Sequence, residues 1–470
     1  MCYIERECKP WRYPPGGEGG TRVSIWKIRR TSPAQVIILG FMALILGGTA
    51  LLMLPPATRG PGGAPFLDAL FTATSATCVT GLVVENTVTY WSTFGQVVIL
   101  ALIQIGGMGV ITMAVAVAIF TGRRIGLRQR YIMQESISAP QMGGIVRMTG
   151  FILRATVCME AAGAALLALR FCPQLGLWKG LWYAVFHAVS AFCNAGFDLL
   201  GDPVPYASLT GYVADPLVNC VIMALIVLGG IGFLTWSDVV THGIHLRRYR
   251  LQSKLILTVT AVLLALPALF FFFYEFSLPQ WQGLSGAERF WSACFQSVSP
   301  RTAGFNTIDL GALSEPSQLL TTALMLIGGA PGSTAGGFKN TTLVVLLLTM
   351  LSVFRRKESA QAFGRRIPAE VLRSAAAIFM LYLTLFLAGG MLLCCIDGVP
   401  LQAALFEAAS ALGTVGLTLG VTPDLSAPCQ LVLVFLMYCG RVGGLTLIYA
   451  VLAGSAPIAS QLPQEKVTVG

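Results

Sequence analysis

Four short stretches of the 470-residue sequence end on a glycine: "TCVTG" up to Gly81, "FCNAG" up to Gly196, "PRTAG" up to Gly304 and "LGTVG" up to Gly416. None of them carries a nucleophile, base or metal ligand at catalytic spacing. The chemistry they offer belongs to the backbone. An extended loop aims carbonyl oxygens to one side, while glycine adopts conformations closed to other residues and has no Cβ to obstruct a narrow axis. Four such loops around one axis would form rings of oxygen able to replace the hydration shell of an ion. The candidate cation-binding residues are therefore Cys78, Val79, Thr80 and Gly81; Cys193, Asn194, Ala195 and Gly196; Thr302, Ala303 and Gly304; and Thr414, Val415 and Gly416. Three residues before the glycine the loops differ, with Cys78, Cys193, Arg301 and Gly413, so any such ring is only pseudo-fourfold.

A second candidate is "GGAPGSTAGGFKN", from Gly328 to Asn340. Glycines leading to a lysine suggest a phosphate cradle, but that motif needs GxxxxGK[ST] between a strand and a helix. Here Lys339 follows Phe338, precedes Asn340 and lies between apolar runs. No soluble segment is long enough for a nucleotide domain, so no nucleotide site is expected in this chain. The stretch from Pro316 to Leu351 holds 36 residues, about 54 Å as one helix, well beyond a hydrocarbon core of about 30 Å. A break at the glycines resolves the excess, with hydroxyls of Ser333, Thr334 and Thr341 available to freed backbone groups. The expectation is a mobile intramembrane loop acting as a gate, comprising Gly332, Ser333, Thr334, Gly336, Gly337 and Lys339. Arg441, inside the apolar run "YCGRVGGL", is the charge expected to face it, since an intramembrane charge is functional by default. Arg154 and Asp238 are expected to reach the membrane edge, and Glu160 to be paired or protonated. The three histidines cannot form a metal site by spacing, the 12 cysteines show no CxxC pair, and no Ser/His/Asp order points to an enzyme.

These candidates need a membrane scaffold. The chain is 55% hydrophobic and only 11% charged, with a mean hydropathy of +0.74, against about 25% charged residues in a soluble protein. The net charge of +10 does not indicate nucleic acid, because 22 of the 31 basic residues fall in four short segments, 1–35, 121–147, 241–254 and 352–373. Acids such as Asp68, Asp198, Asp215, Glu275, Asp397 and Asp424 mark the opposite connections. This is the positive-inside pattern, and it sets both termini in the cytoplasm.

Two apolar runs lie between successive basic segments. Each pair encloses a shorter piece that begins with Phe, has Ser four residues on, and reaches the loop glycine: Phe71, Phe186, Phe295 and Phe406 start the four copies. The pieces Asp68–Thr77, Lys179–Phe192, Ala287–Val298 and Leu401–Leu412 are too short to span a bilayer. They are tolerated only when buried in protein or facing water, and their C-terminal ends favour a cation. The fold class expected is an all-α integral membrane protein. It comprises four pseudo-fourfold helix–pore-loop–helix repeats, with eight transmembrane helices and four half-helices. The divisions are a segment 1–35, repeats 36–120, 148–240, 255–351 and 374–452, and a tail 453–470. Only the second helix of the third repeat is expected to be interrupted.

The four loops "SATCVTGL", "SAFCNAGF", "SPRTAGFNT" and "SALGTVGLTLG", with "GGAPGSTAGGFK" in the third repeat, resemble the Trk/Ktr/HKT superfamily of potassium transporters over residues 36–452. With eight spans, the chain is most similar to the Ktr-type membrane subunit. The resemblance implies potassium uptake across the cell membrane, with potassium preferred over sodium because glycine stands in all four loops. It also implies a homodimer seated on a cytoplasmic ring of nucleotide-binding regulatory subunits, and a gating role for Arg441. Sodium as a second ion is compatible with it. The alternative reading, an ion-coupled secondary transporter driven by Na+ or H+ with alternating access, is favoured by inverted repeats, whereas these repeats run parallel.

Overall fold

The computed structural model describes residues 32–110, 112, 113, 132, 134, 145–202, 204–444 and 446–448. The segment 1–31, most of the basic segment 121–147 and the tail 453–470 lie outside the described residues. Within them the protein is helical, apart from a two-residue hairpin, β1 (Gln361–Ala362) and β2 (Arg365–Arg366).

Among the described residues, four helices are long and apolar enough to cross a membrane: α1 (Pro33–Leu52), α4 (Ile145–Leu175), α8 (Leu251–Phe273) and α12 (Ala369–Asp397). Their starts follow from sequence. Ser32 closes a capping box with Gln35, and Pro33, which needs no helical N–H partner, stands at the first helical position, while Pro368 is the extended cap residue ahead of α12. α12 ends at Gly398, whose φ of 66° is left-handed.

Each long helix is followed by a short one: α2 (Phe66–Cys78), α5 (Leu177–Cys193), α9 (Gly286–Val298) and α13 (Leu401–Gly413). At 13 to 17 residues they reach about 20–25 Å, less than a bilayer core. Their sequences, such as "TATSATC", are rich in small residues, and nearly every residue in the last two turns of α2 and α13 is buried. Small side chains let neighbouring helices close in on all sides.

The helix after each short one is broken. α3 (Thr93–Met108) stops at Gly109, α6 (Pro216–Gly230) turns by 97° through Gly232 into α7 (Phe233–His242), and α14 (Ala427–Val442) stops at Gly443. In the third unit α10 (Glu315–Leu326) and α11 (Asn340–Phe354) are separated by thirteen residues, 327–339. The expectation that only the third unit is interrupted is therefore wrong. Gly109, Gly232 and Gly443 have φ of 87°, 87° and 90°, a conformation that a helix cannot continue through. What sets the third unit apart is the length of its break. Counting the bent α6–α7 pair as one span, the described residues give five spans by length and composition, and α3, α11 and α14 are shorter apolar helices below that length.

The units interlock in a cycle. Each first helix packs on its own half-helix, α1 on α2, α4 on α5, α8 on α9 and α12 on α13. Each second helix packs on the half-helix of the next unit: α3 on α5, α6 on α9, α10 on α13, and α14 back on α2.

At the acidic end the cap of each second helix is tied to the preceding long helix or the turn after it. Ser92 donates to Pro56 O at 2.5 Å, and Arg170 pairs with Asp215, the cap of α6. Glu275 accepts from Ser314 N–H at 3.2 Å, Ser317 Oγ at 2.6 Å and Trp281 Nε1 at 2.7 Å. Asp397 accepts from Ser426 N–H at 2.8 Å. The acids that mark this end in the sequence thus have structural work as well. Glu275 is fully buried, so Glu275→Ala strands several donors without a partner. It is expected to cost about 2–4 kcal/mol, seen as a lowered unfolding midpoint of the detergent-solubilised protein; an unchanged midpoint would refute the staple.

Candidate functional site

Each half-helix ends in the same backbone turn. Two residues before the loop glycine stands a non-glycine residue in the left-handed region, Val79, Asn194, Thr302 and Thr414, with φ of 59°, 60°, 73° and 51°. The glycines follow at 92°, 68°, 81° and 92°. In units one, two and four the residue between them returns its N–H to the serine carbonyl in the half-helix: Thr80 to Ser75 at 2.8 Å, Ala195 to Ser190 at 2.7 Å, and Val415 to Ser410 at 2.8 Å. The third loop is one residue shorter, and Ala303 N–H still reaches the equivalent serine carbonyl, Ser299 O, at 2.9 Å.

The recurrent serine also uses its side chain. Ser75 and Ser410 accept the N–H of Gly81 and Gly416 at 3.1 and 3.0 Å. Ser190 donates to Phe197 O at 2.7 Å, and Ser299 donates to Phe305 O. These four serines pin the backbone on or next to the glycine, a role that the sequence pattern marked without explaining.

The four glycines close on one another. A Cβ added to Gly81 would fall within 3.0 Å of Ala195 O, one on Gly196 within 3.0 Å of Ala303 O, one on Gly304 within 3.0 Å of Val415 O, and one on Gly416 within 3.0 Å of Thr80 O. The contacts run through units one, two, three and four and back to one. Glycine is required at each position twice over, by φ and by the neighbour's carbonyl. Around this backbone ring the hydroxyls of Thr77, Thr80 and Thr414 are buried without a hydrogen-bond partner. Cys78 and Cys193, expected to belong to the extended stretch, are instead the last helical residues of α2 and α5. The Cys193 thiol points to Gln104 Oε1 at 3.6 Å, behind the loop.

The glycine pairs of the second helices meet the half-helix ends. A Cβ on Gly106, Gly229 or Gly440 would run into the carbonyl oxygen of Thr77, Phe192 or Leu412, each four residues before its loop glycine. Glu160 accepts from Gln104 Nε2 at 3.1 Å beside Cys193, so it is a paired group.

A cavity of about 260 Å³ opens above the ring at the acidic end, lined by all four loop glycines and by Asp198, Asn306, Thr418 and Asp424. Burial pushes the Asp198 carboxyl up to about 6 against the pull of the Leu200 N–H. On the opposite side a cavity of about 210 Å³ is lined by Gly107, Gly109, Gly332, Lys339 and Arg441 among others.

Between that cavity and the ring lies the loop 327–339. Thr334 donates its hydroxyl to Phe192 O at 3.0 Å, and Gly336 leaves room for the Thr414 side chain. Gly337 N–H reaches Gly440 O at 3.1 Å, while Ser333 Oγ donates to Ala330 O at 2.7 Å. Lys339 Nζ donates to Ala335 O and Gly336 O at 2.7 and 3.2 Å, tying the loop to itself. Arg441 donates to Thr334 O, to Gly106 O and to Gly107 O, the last at 2.8 Å. One cation thus clasps the third-unit loop to the broken helix of the first unit.

Other charges fall differently from expectation. Asp238, expected to snorkel, is instead held by protein partners. It is buried and accepts from Ser253 Oγ at 2.7 Å and Arg250 N–H at 3.1 Å. Arg301 and Glu407, not counted among the intramembrane charges by sequence, are both buried. His187 is fully buried between Tyr183 O at 2.7 Å and Leu199 N–H. Among the described residues no group of three His, Cys, Asp or Glu side chains could hold a metal.

As a class, this is a largely helical membrane protein with its polar backbone gathered at one internal ring. The chain belongs to the TrkH family of cation transport proteins, whose family model matches residues 24–456. It is 40% identical over 448 residues to the potassium/sodium uptake protein NtpJ of Enterococcus hirae, covering 94% of this chain and 98% of that one. It is also 40% identical over 422 residues to the Ktr system potassium uptake protein B of Bacillus subtilis, covering 90% and 93%. The crystal structure of the potassium transporter TrkH from Vibrio parahaemolyticus superposes with a TM-score of 0.71 at 20% identity, covering 90% of this chain and 85% of that one.

Removing the serine hydroxyl from the ring support leaves a glycine N–H without its acceptor. Ser75→Ala and Ser410→Ala are each expected to destabilise by about 1–3 kcal/mol, read as a lowered unfolding midpoint, while Ser359→Ala, at a half-buried position in the turn after α11, leaves it unchanged. Equal midpoints for all three variants would remove the serines from the account.

Proposed function

We propose that this chain is the membrane subunit of a potassium uptake system, passing K+ through the glycine ring. The observation that carries the reading is the closed cycle of Gly81, Gly196, Gly304 and Gly416 against one another's carbonyls. Relatives named for potassium uptake at 40% identity support the ion. The ring offers backbone oxygens in place of hydration water, and the C-terminal ends of four half-helices place partial negative charge around it. In this reading Val79, Thr80, Ala195, Thr302, Ala303 and Val415 contribute to the ion sites, while Cys78 and Cys193 support them from behind. Four repeats stand around the ring, in the cell membrane, with the basic segments cytoplasmic and the 260 Å³ cavity facing outward. Sodium is a possible second ion, since one relative is named for both. A dimer on a cytoplasmic nucleotide-binding ring follows from the resemblance to Ktr-type subunits.

The loop 327–339 is the gate in this reading. It lies under the second and fourth glycine loops through Thr334 and Gly336, and Arg441 fastens it. A guanidinium at that place also opposes a passing cation. Opening needs Arg441 to release Thr334 O, Gly106 O and Gly107 O together, or to carry the loop with it.

Expression of the full chain in bacteria lacking their own K+ uptake, alone and with a regulatory subunit, should restore growth at low K+; failure of both in spite of correct membrane insertion refutes the function. Gly81→Ser puts a side chain against Ala195 O, and about a tenfold loss of K+ over Na+ preference in uptake is expected. Preserved preference would detach the ring from selectivity. Arg441→Gln keeps fewer of the carbonyl contacts and removes the charge, so ion flux should rise severalfold; a fall in flux with normal folding would show that the arginine does not hold the gate shut.

A further inference from the structure

The residue directly after the buried phenylalanine of each half-helix is polar and buried in all four units: Thr72, His187, Gln296 and Glu407. In the second and fourth units it does the same job. His187 Nε2 takes the N–H of Leu199 at 3.4 Å, and Glu407 Oε1 takes the N–H of Leu419 at 3.0 Å. Leu199 and Leu419 are each the third residue past the loop glycine. In the third unit Gln296 turns instead to Thr321 Oγ1 at 3.3 Å.

Only the fourth unit places a carboxylate there, and it gathers two hydroxyls as well. Thr418 Oγ1 donates to Glu407 Oε1 and Thr422 Oγ1 to Glu407 Oε2, both at 2.6 Å. Thr418 belongs to a second set of equivalent positions, two residues past each glycine. That set is Val83, Asp198, Asn306 and Thr418, and all four line the outer cavity beside the glycines.

Hydroxyl arithmetic gives the consequence. Thr418 has one proton and two lone pairs. Its proton goes to Glu407, and one lone pair takes the N–H of Gly420 at 2.9 Å. The proton of Thr422 could fill the other, but at 3.3 Å that contact loses to the 2.6 Å contact with Glu407. The carboxylate therefore draws off both hydroxyl protons and leaves a lone pair of Thr418 free on a half-buried side chain facing the cavity.

We propose that Glu407 is a positioning residue which, through Thr418, creates a cation-accepting oxygen at the outer end of the ring and thereby sets affinity and discrimination there. This inference rests on the transport reading above. Glu407→Gln changes one atom of shape. With Gln Oε1 kept on Leu419 N–H, its amide faces Thr422 as a donor, and the Thr422 proton is redirected to the free lone pair of Thr418. Thr418→Val removes the same oxygen at a half-buried site and keeps the carboxylate, which loses one of its donors but retains Leu419 N–H and Thr422 Oγ1.

The test is uptake of K+ and Na+ over a concentration series in K+-uptake-deficient cells expressing the full chain, with surface amount measured in parallel. Thr418→Val and Glu407→Gln should each raise the half-saturating K+ concentration about fivefold with maximal rate per molecule retained. They should lower the K+ over Na+ preference, and the double variant should match the single ones, because both act on one oxygen. Glu407→Asp, which keeps the charge, should recover part of the affinity. Thr418→Val with wild-type affinity and preference overturns the proposal even if Glu407→Gln fails to fold. So does a Glu407→Gln defect confined to surface amount or maximal rate. Absence of K+ uptake by the wild-type chain would instead overturn the transport reading itself.

Discussion

The structure depends on one close approach, that of each loop glycine to the carbonyl before the next unit's glycine. No side chain fits between them, and no L-residue with a Cβ adopts those φ values cheaply. Backbone packed that tightly inside a membrane must have its remaining polar groups satisfied by protein. The serine of each half-helix, the left-handed residue two before the glycine, and the return of the loop N–H to the helix end all serve that requirement. The half-helices can reach the ring only if larger neighbours yield, and the glycines at 106, 229 and 440 are where they yield. A continuous line of steric necessity thus runs from the ring through the half-helix ends to the second helices.

The same line explains why those second helices break. A helix pressed against a half-helix terminus at a glycine pair, and followed by a glycine with φ near 90°, is both thinned and turned at one depth. Freed carbonyls then collect below the ring. Gly106 O, capped by the N–H of Gly109 at 3.1 Å, Gly107 O and Thr334 O all face an apolar interior where polar groups need partners, and Arg441 supplies donors to all three. The cation and the broken helices compensate each other. The guanidinium has no carboxylate beside it among the described residues, and the carbonyl dipoles take that role.

Much of this was legible because the ring is encoded locally and four times. The half-helices run from Phe66, Leu177, Gly286 and Leu401, within two residues of the starts read from sequence. Repetition made Gly81, Gly196, Gly304 and Gly416 stand out where one alone would not. The sequence was misleading where function depends on partners distant in the chain. The partners of Asp238, Arg250 and Ser253, lie 12 and 15 residues away across a turn that the hydropathy of the span does not reveal. Cys78 and Cys193 read as loop residues because the helix end lies one position later than apolarity suggests. The breaks at Gly109, Gly232 and Gly443 were hidden because a short interruption leaves the hydropathy of a span almost unchanged, whereas the thirteen residues 327–339 do not.

Fourfold backbone with unequal side chains has a physical logic. The positions whose atoms touch the axis directly are fixed by sterics, so they can vary little among the four units. One shell out, at the residues two past each glycine, the constraint is only that the side chain border a cavity, and the four units supply an apolar group, a carboxylate, an amide and a hydroxyl: Val83, Asp198, Asn306 and Thr418. Behind them the residue after each phenylalanine differs again, from Thr72 to Glu407. Symmetry is therefore strict where backbone packs against backbone and relaxed where side chains border a cavity, so the asymmetry among the four units is concentrated at the outer cavity and at the loop 327–339 beneath the ring.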